Sequence, residues 1–241
     1  MSGGSRRPWR LGFLLLFLAA CLAAFFWLSQ SSLLAVEHID VDGNTATPTD
    51  QILARAAPLL DGRSLLSFSF DGVDVALKQM PFIAGVDIDR DFPHTIHLHI
   101  HERQPVAWLK SANGYLLLSS DGYLLVAAPA PSENLPLLTT KDPCSDAVGQ
   151  RASCGDVSTG INFLADVPEN FDQEFTNVSV ISGDISARTK TNVNIHFGSL
   201  DNYILKFEVL KQLIARTAVA GKAVSVDVSV PERPVTKADG G

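Results

Sequence analysis

The chain has 241 residues, a net charge of −7 and 46% hydrophobic residues, enough for one or two domains with real cores and too apolar for a disordered polypeptide. Arg6, Arg7 and Arg10 precede residue 11, so the other 16 Lys and Arg stand against all 26 Asp and Glu, a net of −10 for the remainder. A body that acidic excludes a nucleic-acid binder and a reader of lipid headgroups, which both need basic surface.

Residues 11–28 read LGFLLLFLAACLAAFFWL, without a charge. At ~1.5 Å per residue this run just crosses a hydrocarbon core of ~30 Å, which predicts one transmembrane helix over 11–28. The arginines keep residues 1–10 in the cytoplasm by the positive-inside rule, and everything from about residue 29 onward is exported. A cleaved signal peptide has a shorter apolar core and a small-x-small site; here the run is longer and ends in Phe25, Phe26 and Trp27, which suit a membrane interface. Either way the rest is exported.

The exported part opens on an alternating strand at 36–41, closed by Asp42-Gly43-Asn44 as a turn. A helix follows, with Thr47 as N-cap, Pro48 at the first helical position and Asp50 reaching back. Ile52, Leu53, Ala56, Leu59 and Leu60 form its apolar face, and Gly62 stops it. A second helix spans 71–79, with Pro81 as breaker. Strands follow at 83–89 and 95–102, joined by a turn at 90–94. In the second, Ile96, Leu98 and Ile100 alternate with His97, His99 and His101. The order is β-α-α-β-β.

From Val106 short strands dominate. The runs 115–118 and 123–125 flank Ser120-Asp121-Gly122 as a hairpin. A short apolar piece lies at 135–138. Cys144 and Cys154, an exported pair, are expected to form a disulfide that pins a local excursion. A weak helix at 160–166 and strands at 178–181, 184–188 and 192–197 follow. Residues 201–217 form the clearest helix, with Ile204, Phe207, Leu210, Leu213 and Ile214 at helical spacing. Residues 224–230 alternate as a final strand, and the tail ERPVTKADGG reads as frayed.

These motifs, in this order and spacing, resemble the FtsQ/DivIB family of bacterial cell-division proteins. The opening strand with its Gly43-Asn44 turn, the run Pro81-Phe82-Ile83-Ala84-Gly85-Val86, the turn Arg90-Asp91-Phe92-Pro93-His94-Thr95-Ile96 and the segment Glu102-Arg103-Gln104-Pro105-Val106-Ala107 resemble the family's POTRA domain. Ser120-Asp121-Gly122, Leu135-Pro136-Leu137-Leu138, Lys206 with Leu210, and Val226-Asp227-Val228 with Pro231 resemble its β domain. The excursion between Cys144 and Cys154 departs from the pattern. The resemblance implies an α+β fold: the transmembrane helix, a POTRA domain at 34–104, a mostly β domain at 105–237 with a long helix and a closing edge strand, and a disordered tail at 238–241.

No catalytic, phosphate-binding or dinucleotide motif stands out, so the expectation is a non-enzymatic protein with no cofactor and no metal. Adjacent members of His97, His99 and His101 could chelate one ion together, but His97 and His101 lie ~13 Å apart by strand rise. The strand face is read as turned to solvent or a helix edge. The resemblance implies a scaffold in the inner membrane at the division septum, gathering FtsB-like and FtsL-like partners. It places FtsB capture along the closing strand, with Val224, Val226, Val228 and Val230 as partner-binding residues. The alternative is an exported POTRA-containing chaperone or translocation accessory protein. A barrel-type translocator would need many further strands after the POTRA domain.

Overall fold

A computed structural model describes residues 7–29, 34–66, 69–132, 134–168, 171, 174–218 and 224–238. Arg6, the tail 239–241 and the side chain of Val224 lie outside what is described. The chain divides into two compact units, residues 1–102 and 103–241.

The first unit begins with α1 (Arg7–Ser29). Side chains in α1 are described over 12–23 and are all exposed. Among the described residues, no helix is long and apolar enough to cross a membrane. After it come β1 (His38–Asp42), α2 (Thr49–Leu60), α3 (Asp71–Leu77), β2 (Ile83–Asp91) and β3 (Thr95–Glu102). The sheet runs β1-β3-β2, with β3 parallel to β1 and antiparallel to β2. The period of two in β3 puts Ile96, Leu98 and Ile100 in the core and leaves the three histidines on the other face. From α2, Ile52, Ala56 and Leu60 meet that core at four-residue spacing, with Val73 and Leu77 of α3. Gly43 has φ +76, and a Cβ there would lie 2.4 Å from Ile100 O, so the turn after β1 accepts only glycine.

Thr47 does not cap α2. The residue before the helix is Pro48, with no side-chain cap bond, and Thr47 Oγ1 is buried without a partner. The carboxylate of Glu102 takes over the approach to the helix from across the fold. It accepts from Thr45 N (2.9 Å), Thr45 Oγ1 (2.8 Å), Ala46 N (2.8 Å) and Thr47 N (2.7 Å). Burial raises its pKa, but these four bonds outweigh burial and hold it at about 2.

The second unit comprises β4 (Pro105–Ser111), β5 (Gly114–Ser119), β6 (Leu124–Ala128), β7 (Leu137–Thr140), α4 (Val157–Ala165), β8 (Phe175–Ile181), β9 (Asp184–Thr189), β10 (Asn194–Gly198), α5 (Tyr203–Ala218), β11 (Val224–Asp227) and β12 (Val235–Ala238). One sheet holds all its strands, in the order β12-β11-β10-β9-β8-β7-β4-β5-β6. Phe163 of α4 sits 4.8 Å from Phe197 and 6.0 Å from Phe207 between ring centroids, so α4 and α5 share one aromatic core with β10.

Two expectations are corrected here. The strand in 224–230 ends at Asp227 and is not an edge: β10 lies on one side and β12 on the other. Residues 235–238, read as part of a frayed tail, form the edge strand. Prolines at 231 and 234 frame a reversal, with Arg233 N donating to Val230 O at 2.9 Å, and the β-branched Val235-Thr236 pair then returns along β11. Cys144 and Cys154 are bonded, with Cα atoms 5.2 Å apart. Cys144 is fully buried in the core and Cys154 packs against it, so the bridge ties the excursion into the domain.

Candidate partner-binding edge

The residues expected to bind a partner divide sharply. Val226 and Val228 are 0% exposed, so their side chains belong to the core, whereas Val230 is 52% exposed in the reversal after β11. Among the described residues, no strand covers the far side of β12. Val228 N donates to His196 O at 2.9 Å. A strand residue's N–H and C=O point to one side, and successive residues alternate. Val226 and Val228 therefore face β10, while Ser225 and Asp227 face β12. Those two stand opposite Lys237 and Val235. Thr236 accordingly turns its N–H and C=O away from β11, into the free edge. Val235 is 60% exposed.

The other end of the sheet is less open. Leu124 at the start of β6 donates its N–H to Gln150 O (2.9 Å) and accepts from Gly149 N (2.7 Å). The disulfide excursion thus occupies the outer side of β6 where that strand begins. Covering an edge in this way blocks unwanted strand addition there.

The reversal that presents β12 is held from below. Lys206 of α5 is only 2% exposed, and its Nζ donates to Phe197 O (2.9 Å) and Ser199 O (2.8 Å). Burial pushes its pKa down, and the nearby Asp201 and Asp227 carboxylates oppose that. Asp227 Oδ1 accepts from Ser229 N (2.9 Å) and Ser229 Oγ (2.7 Å), fixing the first turn of the reversal. Burial raises the Asp227 pKa, but the Ser229 bonds, with His196 and Lys206, bring it below its ordinary value. Gly198 closes β10 at φ +68, and a Cβ there would lie 3.0 Å from the Ser229 Cβ. The backbone end of β10 and the reversal are packed against each other at that point.

Of the sequence-derived residues, the fold brings Val226, Val228 and Lys206 together as support for the edge and does not put them on it. The residues on the edge, Val235 to Ala238, were missed. Their signal was present: two β-branched residues directly after Pro234, at a distance that allows a return along the preceding strand. No catalytic constellation accompanies this surface among the described residues. Cys144, Asp146 and Cys154 are the one trio of metal-type donors found there with ligand atoms within 4.8 Å, and the disulfide removes both thiolates.

The first unit is thus a β-α-α-β-β unit, and the second is a single mixed sheet whose last strand has an open edge. Residues 34–103 match the FtsQ-type POTRA domain. Over 241 residues the chain is 30% identical to the cell division protein FtsQ of Streptomyces collinus, covering 97% of this chain and 89% of that protein. It is 27% identical to FtsQ of Streptomyces griseus over 210 residues, 86% of this chain and 99% of that one. It is also 33% identical over 103 residues to the cell division protein DivIB of Bacillus selenitireducens, 42% of this chain and 39% of that one. The chain belongs to the FtsQ/DivIB family of cell-division proteins, and is a non-enzymatic member of the division machinery.

Proposed function

We propose that the protein is a single-pass membrane scaffold of the divisome that captures an FtsB-like partner, and with it an FtsL-like one, by strand addition to the free edge of β12. The observation that carries this is the sheet order. β12 ends the sheet with an exposed strand, and the opposite end is partly covered by the excursion. An open strand edge recruits an extended segment through main-chain bonds.

The membrane part rests on α1. The uncharged run 11–28 lies within it, of which the described side chains cover only 12–23, a stretch too short to span a membrane by itself. Phe13 to Leu18 and Leu22 are all exposed, a surface suited to lipid rather than water. The arginines before residue 11 orient it with the N-terminus in the cytoplasm and the chain after α1 outside, at the division septum. A reporter fused after Lys237 is expected to be active only outside the cytoplasm. Activity inside would sink this topology.

For the edge, Thr236→Pro removes an outward N–H while leaving the β11–β12 ladder its own donors. In the full chain it is expected to reduce co-purification of the FtsB-like partner by about tenfold or more, since the added ladder loses a bond and meets the proline ring. Lys237→Ala, which changes only a side chain, is expected to leave capture near wild type. A Thr236→Pro chain that keeps its circular dichroism spectrum and still captures the partner normally would place recognition elsewhere.

A further inference from the structure

The exposed face of the first sheet carries a regular arrangement that the scaffold role does not use. The central strand β3 presents His97, His99 and His101. Asp40 and Asp42 of β1 flank them on one side, and Asp87, Asp89 and Asp91 of β2 on the other. His97 Nδ1 lies 3.6 Å from Asp40 and its Nε2 3.7 Å from Asp91. His99 Nδ1 lies 2.5 Å from Asp42 and its Nε2 3.3 Å from Asp89. His101 Nε2 meets Asp87 at 2.7 Å.

A neutral imidazole has one N–H. His99 faces a carboxylate at each nitrogen, so one carboxylate must look at a bare lone pair unless a positive charge sits there. Either a proton or a cation can supply it. A hydrogen bond accounts for the Asp42 side. On the Asp89 side, 3.3 Å is long for a charge-assisted bond. It matches the separation of about 3.3 Å between two donors that each lie ~2.0–2.1 Å from one tetrahedral ion. Asp42 behind Nδ1 then corresponds to the carboxylate–histidine–metal relay that orients ligating imidazoles. Asp89 also stands directly across the ladder from His97. His97 and His99 project from the same face ~6.6 Å apart at Cα, within chelating reach of each other. The three donor atoms are not gathered within 4.8 Å in this structure: His97 Nε2 faces Asp91 and must swing towards Asp89 to join His99, and the side chains are exposed enough to turn, 35% for His97, 42% for His99 and 73% for Asp89.

We infer that His97 Nε2, His99 Nε2 and the Asp89 carboxylate form a binding site for one divalent transition-metal ion, with Asp40 and Asp42 holding the imidazoles from behind. Two imidazoles and a carboxylate suit a borderline ion such as Zn2+, Ni2+ or Cu2+, with water completing the coordination. This departs from the sequence reading of the strand face as plain solvated surface. His101, ~13 Å from His97 along the strand, lies outside the site.

The test is calorimetric titration of Zn2+ into the untagged, metal-stripped full chain in detergent at neutral pH. One ion per chain is expected. His99→Ala and His97→Ala each weaken binding by at least about tenfold, and Asp42→Asn by about 10–100-fold, as a second-sphere change does. His101→Ala leaves it unchanged. Zn2+ also raises the melting temperature of the wild type but not of His99→Ala, which checks that the variant is folded. Three results would each overturn the site: no saturable Zn2+ binding, binding insensitive to His99→Ala, or a loss in His101→Ala as large as in His97→Ala. In the first case the positive charge on His99 is a proton only.

Discussion

Replacing Lys206 by methionine is expected to destabilise the second unit by about 3 kcal/mol and to loosen the β12 edge with it. Methionine keeps the length and apolar stem of the side chain, so the packing of α5 towards the end of β10 is largely preserved. What is lost is the donor to Phe197 O and Ser199 O, and with it the positive charge near Asp201 and Asp227. Buried carbonyls left without donors cost ~1–3 kcal/mol each, less where water can enter. Because burial sets the folded-state pKa of Lys206 below its unfolded value, the unfolded chain binds the extra proton between the two. Wild-type stability should therefore rise with pH across that alkaline window, and the methionine variant should lack this slope. Hydrogen exchange of amides in β10, β11 and β12 reports both effects. Unchanged protection in the variant would show that the lysine is not what holds the reversal.

The second large effect is expected at Glu102. Its pKa of about 2 lies below an ordinary glutamate value of 4.5, so the folded first unit favours the ionised form. At ~1.36 kcal/mol per unit the shift amounts to about 3 kcal/mol, and partial exposure reduces this to about 2 kcal/mol. The contribution is fully present above pH ~4.5 and is lost as pH falls from there towards about 2. Glu102→Gln should cost about that amount at neutral pH. It should also flatten the acid limb of stability in the first unit. Exchange protection of residues 45–60, measured at neutral pH and near pH 3, distinguishes the two chains. A glutamine variant as acid-sensitive as the wild type would assign that limb to other carboxylates.

Glu102 and Lys206 illustrate what could be read in advance. Both stand in motifs visible in the sequence, the Glu-Arg-x-Pro-Val-Ala segment and the long helix. Their partners could not be inferred, because Thr45 lies 57 residues from Glu102 and the contact exists only once β3 returns beside β1. The Thr47 cap failed for the same reason: a local rule predicted a side-chain cap, and a distant carboxylate with more donors in reach replaced it.

Periodicity alone determined the apolar helix at the front, the β-α-α-β-β order, the inward face of Ile96, Leu98 and Ile100, and the long amphipathic helix, since each depends on spacing within one segment. Which strand lies at an edge is a property of neighbours. A cleanly alternating strand such as β11 has the same pattern whether one or both of its sides are paired, because pairing runs through the backbone and leaves no mark on side-chain alternation. Only the tertiary structure could place β12 outside β11, bring the excursion over β6, and set two rows of aspartates beside three histidines across strands more than 50 residues apart in the chain for β1 and β3.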